Sequence, residues 1–471
     1  MKISKLNIPV TSYWIENNER RLDGSPYLSG AFEAKVILEK LSAKKEPLQE
    51  LTKGGMKGIF NGPRFSRNYV DDPNYGVPFL GSTDILAADL SNLPLLSKKK
   101  VVSCPELLID KGWTLITCSG TIGRMVYSRS DMKGMAGSQH FMRVVPDPDK
   151  ILPGYLYAYL SSHFGLPIVV SGTYGAIIQH IEPSHIADLP VPRLGEDIER
   201  KVHELIDEAA QSRATASKLL TEASQEVISY FELNIPTPKY KYACPSVTYA
   251  SSSYMLKRMD AYYFAEWNED AYLQFNQDSL QQVLLGEIAA DLYIPGIFKR
   301  IYAENPKFGY PYITGGDVYC LAPTSERYLS KKVPDIEKLV LRNGMILVQD
   351  SGQIGGLIGR PVAVGKYLDG FACTNNMVRI VPRSKIDQGY IFAIFNTEYG
   401  TRLLTREATG SSIPHLDEKR IKKIQIPWTD SKNRELLGKK VLQAIELRDK
   451  ACELEAKAKE IVENAISKGG V

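Results

Sequence analysis

Side chains suited to paired hydrogen bonds with flat polar edges gather at a few places in this chain, mostly beside glycine or proline. In the first half they are Lys57, Asn61, Arg64 and Arg67, interleaved with Phe60 and Phe65, then Lys98 and Lys99, Arg124, Gln139 and His140, and Thr173 and Tyr174 with Gln179. In the second half they are Lys299 and Arg300, Gln353, Asn375 and Asn376, and Ser411 and Ser412 with His415. Arginine and lysine suit guanine edges and phosphates, and asparagine and glutamine suit adenine. The chemistry on offer is binding.

Nothing is spaced for bond breaking. GxxxxGK[ST], HExxH and GxSxG are all absent. Asp72-Pro73-Asn74-Tyr75 is the nearest approach to the Asn/Asp-Pro-Pro-aromatic loop that grips a flipped base, and it lacks the second proline. The six cysteines include no CxxC pair, which argues against a disulfide framework or a zinc knuckle. No catalytic or metal-binding residue is therefore assigned. Asp84 and Asp317 keep open one enzymatic alternative, a nuclease with a carboxylate site in each half, against which stands a plain capping role at a strand end.

The bulk properties agree. A net charge of +4 and a pI near 8.5 permit a nucleic-acid partner without demanding one. No window approaches the roughly 18 uncharged residues of a membrane span, and the first residues lack the apolar core of a signal peptide, so no membrane association and a cytoplasmic location are expected. At 471 residues the chain should hold two domains or more.

The elements that must position the binding side chains come in duplicate. Arg21-Leu22-Asp23 answers Arg258-Met259-Asp260, and Gly76-Val77-Pro78-Phe79 with Asp84 answers Gly309-Tyr310-Pro311-Tyr312 with Asp317. The strongest block is LLIDKGWTLITCSGTIG at 107–123 against LVLRNGMILVQDSGQIG at 339–355. Arg143-Val144-Val145-Pro146 answers Arg379-Ile380-Val381-Pro382, Gly154-Tyr155-Leu156-Tyr157 answers Gly389-Tyr390-Ile391-Phe392, and His180 answers His415. A repeat this long is domain duplication, not a stacked array. Strands are expected at 113–117 and 345–348, each leaving through a tight Ser-Gly-x-Ile-Gly turn, with short helices over the sheet at 154–162 and 389–396. One departure is visible: Leu48-Gln49-Glu50-Leu51 stands where the second half has Leu285-Gly286-Glu287-Ile288.

A long helix is expected at 197–231, where Ile198, Val202, Leu205, Ala209, Ala216, Leu219, Ala223 and Tyr230 make a narrow stripe of coiled-coil type. The terminal helix carries the same stripe at Leu437, Ala444, Leu447, Ala451, Leu454, Ala458, Ile461 and Ala465, so the partner is expected within the chain. Pro236 and Pro238 end the first helix. The resulting fold class is α+β. Two similar β-rich globular domains at 1–194 and 257–429 are joined by long helices at 195–234 and 430–468, with a linker at 235–256. Connectivity makes the helices an antiparallel coiled coil and the molecule pseudo-two-fold. Helices of about 33 residues make a rod of about 50 Å, against about 34 Å for a turn of B-DNA.

Two variable halves, each followed by a long helix and each holding the Ser-Gly-x-Ile-Gly block, with Leu285-Gly286-Glu287-Ile288 opening the second, resemble the specificity (S) subunit of type I restriction-modification systems over nearly the whole chain. The resemblance implies that each half is a target recognition domain reading one part of a split, asymmetric double-stranded DNA target. It implies that the helices space these domains and dock two methyltransferase (M) subunits, with restriction (R) subunits completing the complex. It also implies a non-catalytic chain that binds no cofactor, S-adenosylmethionine, ATP and magnesium belonging to the partners. The alternatives are the duplicated nuclease and a protein-interaction scaffold without a DNA role.

Overall fold

The computed structural model describes residues 10–16, 20, 22, 24, 27, 29–171, 180–242, 245, 247–256 and 258–469. The chain divides into two compact units, Met1–Ala214 together with Lys450–Val471, and Thr215–Asp449. That division cuts both long helices, Glu196–Tyr230 and Ser431–Ser467, so each unit holds one globular part and half of either helix.

In the first unit an antiparallel sheet runs in the order Ile59–Asn61, Phe141–Val144, Thr114–Thr117, Met125–Tyr127. A second sheet runs Tyr69–Val70, Leu95–Ser97, Gly76–Leu80, Ala136–Gly137, and its last pair is parallel. A two-stranded ladder of Lys45–Pro47 with Pro190–Pro192 ties the start of the globular part to its end. Thr114–Thr117 is buried at every position, as a short β-branched and apolar run should be.

The second unit repeats this plan strand for strand. Its sheets run Ala289–Tyr293, Met377–Pro382, Ile346–Gln349, Pro361–Ala363 and Tyr302–Ala303, Tyr328–Ser330, Gly309–Ile313, Ala372–Cys373, and its ladder pairs Gln282–Leu284 with Gln425–Pro427. Even the register is copied: Leu115 faces Arg143 as Leu347 faces Arg379, and Phe79 faces Ala136 as Tyr312 faces Ala372. The visible departure turns out to be a substitution in place. The 3-10 turn Leu48–Leu51 follows the ladder strand just as the helical turn Leu285–Ile288 does, with Leu48, Leu51 and Leu285 buried.

The helices expected over the sheet are Pro153–Leu160 and Lys385–Phe395, both buried almost throughout. Each is pressed between its sheet and the long helices so closely that only glycine fits. A Cβ on Gly154 would lie 2.7 Å from the His203 ring, and one on Gly389 would lie 2.7 Å from the Gly438 carbonyl. Tyr155 donates its hydroxyl to the Pro192 carbonyl, and Tyr390 donates to that of Pro427 at 2.7 Å, which anchors each helix to the ladder.

Within the first unit Val202, Leu205, Ile206 and Ala210 share one core with Ala458, Val462 and Ile466. Within the second, Ala216, Leu220, Ala223 and Val227 share one with Leu437, Val441 and Ala444. Early residues of one helix thus meet late residues of the other, the order that antiparallel partners have. The stripe itself needs correcting at its edges. Tyr230 is 39% exposed while Val227 is buried, and Leu220 is more deeply placed than Leu219. Seats seven residues apart at Ile206, Arg213, Leu220 and Val227 form a second buried row, as a heptad seam requires.

Arg213 occupies a seat in that row and faces a carboxylate. Glu455 accepts from Arg213 Nη1 at 2.6 Å, from the Tyr157 hydroxyl at 2.7 Å and from Lys459 Nζ at 2.8 Å. Burial opposes ionisation of Glu455 most strongly, yet the charges of Lys459 and Arg213 and the hydrogen bonds it accepts hold its carboxyl well below the ordinary 4.5. By the sequence repeat, the second unit has Phe392 in place of Tyr157 and Leu220 in place of Glu455.

Removing one member of such a network strands a buried charge, whereas replacing all of it with apolar groups leaves none. Arg213→Met should therefore destabilise the first unit by about 3 kcal/mol or more in urea unfolding. The triple change Arg213→Met, Glu455→Leu and Tyr157→Phe should recover most of that loss. Because the folded carboxyl titrates below 4.5, its contribution is complete above that pH and disappears only well into acid. A Glu455→Gln chain should lack this acid-dependent loss in a pH series of unfolding curves.

Candidate nucleic-acid interface

The central strand of each antiparallel sheet ends in the Ser-Gly-x-Ile-Gly turn. Gly120 and Gly123 have φ of 79° and 82°, and Gly352 and Gly355 have 138° and 85°, all in the region that side chains disfavour. The turn is closed by backbone bonds of 2.9 Å from Gly123 to the Thr117 carbonyl and from Thr117 to the Arg124 carbonyl. Ser119 forms an antiparallel bridge with His180, and Ser351 forms one with His415. The matched histidines are held at the turn by their own backbone.

Beside the turn, an arginine lies over a ring in both units. The Arg67 guanidinium sits 5.4 Å from the centroid of Phe79, and that of Arg300 sits 6.0 Å from Tyr312 while its Nε donates to the tyrosine hydroxyl at 3.2 Å. Phe79 and Tyr312 are matched positions, so the arrangement is built twice. Stacking orients the flat cation while both arginines stay exposed. In the first unit Phe65 packs edge-on against Phe79, with Lys100 Nζ 5.5 Å above it. Lys98, on the same short helix as Lys99, donates to the Asn74 carbonyl at 2.8 Å. Lys331 donates to the Lys307 carbonyl at 3.0 Å in the corresponding place, a counterpart that sequence reading missed.

The facing loop carries Gln139 and His140 in one unit and Asn375 and Asn376 in the other. His140 Nδ1 and Ser119 Oγ share a hydrogen bond of 2.7 Å, and Gln139 Nε2 lies 3.2 Å from His140 Nε2. Partial burial, then the charges of Arg67, His180 and Arg64, lower the His140 pKa from its ordinary 6.5, which keeps the ring neutral at neutral pH. In the second unit Asn376 lines an open depression of about 500 Å³ with Arg300, Thr314, Gln349, Ser351 and Gln353. Donors and acceptors of differing kind thus surround a common frame.

The other expected residues fall as follows. Asn61 ends its strand half-buried, with an Oδ1 that lacks a partner among the described residues, and Arg64 is exposed on the loop that follows. Arg124 is exposed just past the turn, and Lys299 is exposed beside Arg300. Ser411 and Ser412 are exposed at the tip of a loop closed by reciprocal bonds between Thr409 and His415 at 2.8 and 2.7 Å. Lys57 is not brought in: it precedes Ile59–Asn61 in the 3-10 turn Gly55–Gly58, at the opposite end of that strand from Asn61. Thr173, Tyr174 and Gln179 lie outside the described residues. Asp84 and Asp317 serve as caps, accepting from the backbone N–H of Gly81 at 2.8 Å and of Thr314 at 2.9 Å. Sequence reading passed over Arg143 and Arg379, each noted only as part of a matched block. Their depth beneath this loop is set by folding.

Among the described residues, no three His, Cys, Asp or Glu side chains converge as they would on a metal, and no helix is long and apolar enough to cross a membrane. The sequence family described as the type I restriction modification DNA specificity domain matches residues 47–192 and 295–464, one stretch in each half. A comparison with curated proteins gives no match. Similar solved structures include the S subunit of a type I restriction-modification system from M. genitalium, at 13% identity and a TM-score of 0.39, with 92% of this chain and 96% of that one covered. Another is the HsdS subunit from Thermoanaerobacter tengcongensis, at 14% identity and a TM-score of 0.27, with 91% and 96% covered. These superpositions are loose, and the assignment rests on the sequence family. With that family matched over most of its length, the chain belongs to the type I restriction-modification DNA specificity family and is a DNA sequence-specificity subunit.

Proposed function

We propose that the chain reads a split, asymmetric DNA target, one part with each unit, and breaks no bond itself. The observation that carries this is a site built twice on one frame and finished with different side chains. Arg67 on Phe79 and Arg300 on Tyr312 are common to both units and suit what is common to all DNA, the phosphate backbone. Gln139 with His140 against Asn375 with Asn376 differ and suit what varies, the base edges.

Catalysis then belongs to partners: two methyltransferase subunits using S-adenosylmethionine to modify adenine, and restriction subunits using ATP and magnesium, docked on the paired helices in the cytoplasm. The helices would also fix the gap between the two parts of the target. Asp84 and Asp317, on which a duplicated nuclease would depend, are engaged in capping, and this supports the binding reading.

Exchanging residues 21–193 for the equivalent segment of a relative should change one part of the methylated sequence and leave the other as it was. Sequencing methylated adenines in cells that carry the assembled complex reads this directly, and change in both parts would refute modular reading. Arg67→Ala and Arg300→Ala should each weaken binding to all sequences and reduce the slope of log affinity on log salt by about one. An unchanged slope would remove these arginines from the phosphates.

A further inference from the structure

We propose that Arg143 and Arg379 are positioning residues for base reading, each setting sequence discrimination in its own part of the target through the loop that it ties down. The proposal rests on the split-target reading above. Both side chains are buried, at 0% and 1% exposure, and among the described residues neither has a carboxylate within ion-pair distance, the charge of Asp350 acting on Arg379 from further off. A buried guanidinium without a carboxylate in contact is a costly occupant of a core, and an apolar residue of similar volume would serve packing better. The same occupant nonetheless sits at the same register in both sheets, opposite Leu115 and opposite Leu347.

What a guanidinium offers there is a rigid plane of donors that can hold several carbonyls at once. Arg143 Nη1 donates to the carbonyls of Ser138 and Phe141, both at 2.9 Å, and these bracket Gln139 and His140. Arg379 donates to the carbonyls of Thr374 at 2.8 Å and Met377 at 2.7 Å, and these bracket Asn375 and Asn376. In the first unit the loop bearing Arg64 and Arg67 rests on the same group, since a Cβ on Gly62 would lie 2.9 Å from Arg143 Nη1. The Phe141 ring, 4.5 Å away, supports one face of the cation. Burial lowers the Arg143 pKa to about 10, which leaves it charged at neutral pH, and lowers that of Arg379 as well. One buried guanidinium therefore fixes the backbone on both sides of the two side chains that differ between the units. Arg143 does so through Nη1 alone, its Nε and Nη2 having no partner among the described residues, and Arg379 through Nη1 and Nη2.

The test uses the full chain assembled with its methyltransferase partners, its target mapped from methylated DNA, and binding measured to that duplex and to duplexes with single base pairs replaced. Arg379→Met should reduce discrimination about tenfold or more, only for base pairs read by the second unit, and Arg143→Met only for those read by the first. Non-specific affinity and its salt slope should stay as they were for Arg379→Met, and Arg→Lys, which keeps the charge without the planar set of donors, should restore discrimination in part. Thermal unfolding of each preparation reports whether the unit is folded. Should a methionine variant fail to fold, the lysine variant answers the same question through the same readout. Full discrimination in a folded variant, or loosening of both parts by one substitution, overturns the proposal. Loss of sequence preference in the unsubstituted assembly would instead refute the split-target reading beneath it.

Discussion

The packing of one short buried helix decides how each unit is put together. Pro153–Leu160 and Lys385–Phe395 each lie with one side on the antiparallel sheet and the other on the paired long helices, and so link the sheet to that seam. The approach is closer than ordinary helix packing allows, with glycine at Gly154 in one unit and at both Gly389 and Gly438 in the other. A methyl group there would push the sheet, and the loops at its far end, away from the helices.

On that common frame the units differ in how their seams are filled. The first pairs a buried arginine with a carboxylate and a tyrosine hydroxyl, where the second, by the repeat, has Arg448 with Leu220 and Phe392. A buried charge pair inside a seam tolerates few alternative pairings, because any slip leaves a charge buried without a partner. Leu220 and Phe392 accept no charge in the second unit, whose helices are instead tied by Lys440 to Glu222 and Glu226.

The interface follows a related division. Backbone geometry, the stacked arginines and the lysines that hold neighbouring carbonyls recur in both units, whereas the loop side chains facing them do not. Contacts to a uniform sugar-phosphate chain can be inherited unchanged after duplication, while contacts to base edges must diverge if the two parts of a target are to differ. His140 shows how far such divergence reaches. Its partner Ser119 is shared with the second unit as Ser351, yet an asparagine there leaves an open depression where the first unit has a ring hydrogen-bonded across the turn.

Local pattern made much of this legible from residues alone. The duplication, the strands at Thr114–Thr117 and Ile346–Gln349, the glycine turns that leave them and both long helices depend on spacing and on backbone preference, and those are properties of neighbours along the chain. Of the candidate binding residues, Arg67, Gln139, His140, Arg300, Gln353 and Asn376 do gather around the turns, because the matched blocks already tied them to strand ends. Which arginines surface and which sink was beyond any such pattern. Arg67 and Arg143 both precede or follow β-branched and aromatic runs, yet one lies over a ring in solvent and the other holds carbonyls in the core. That choice is made by residues elsewhere in the chain, Phe79 for one and Gly62 for the other, and only folding brings them within reach.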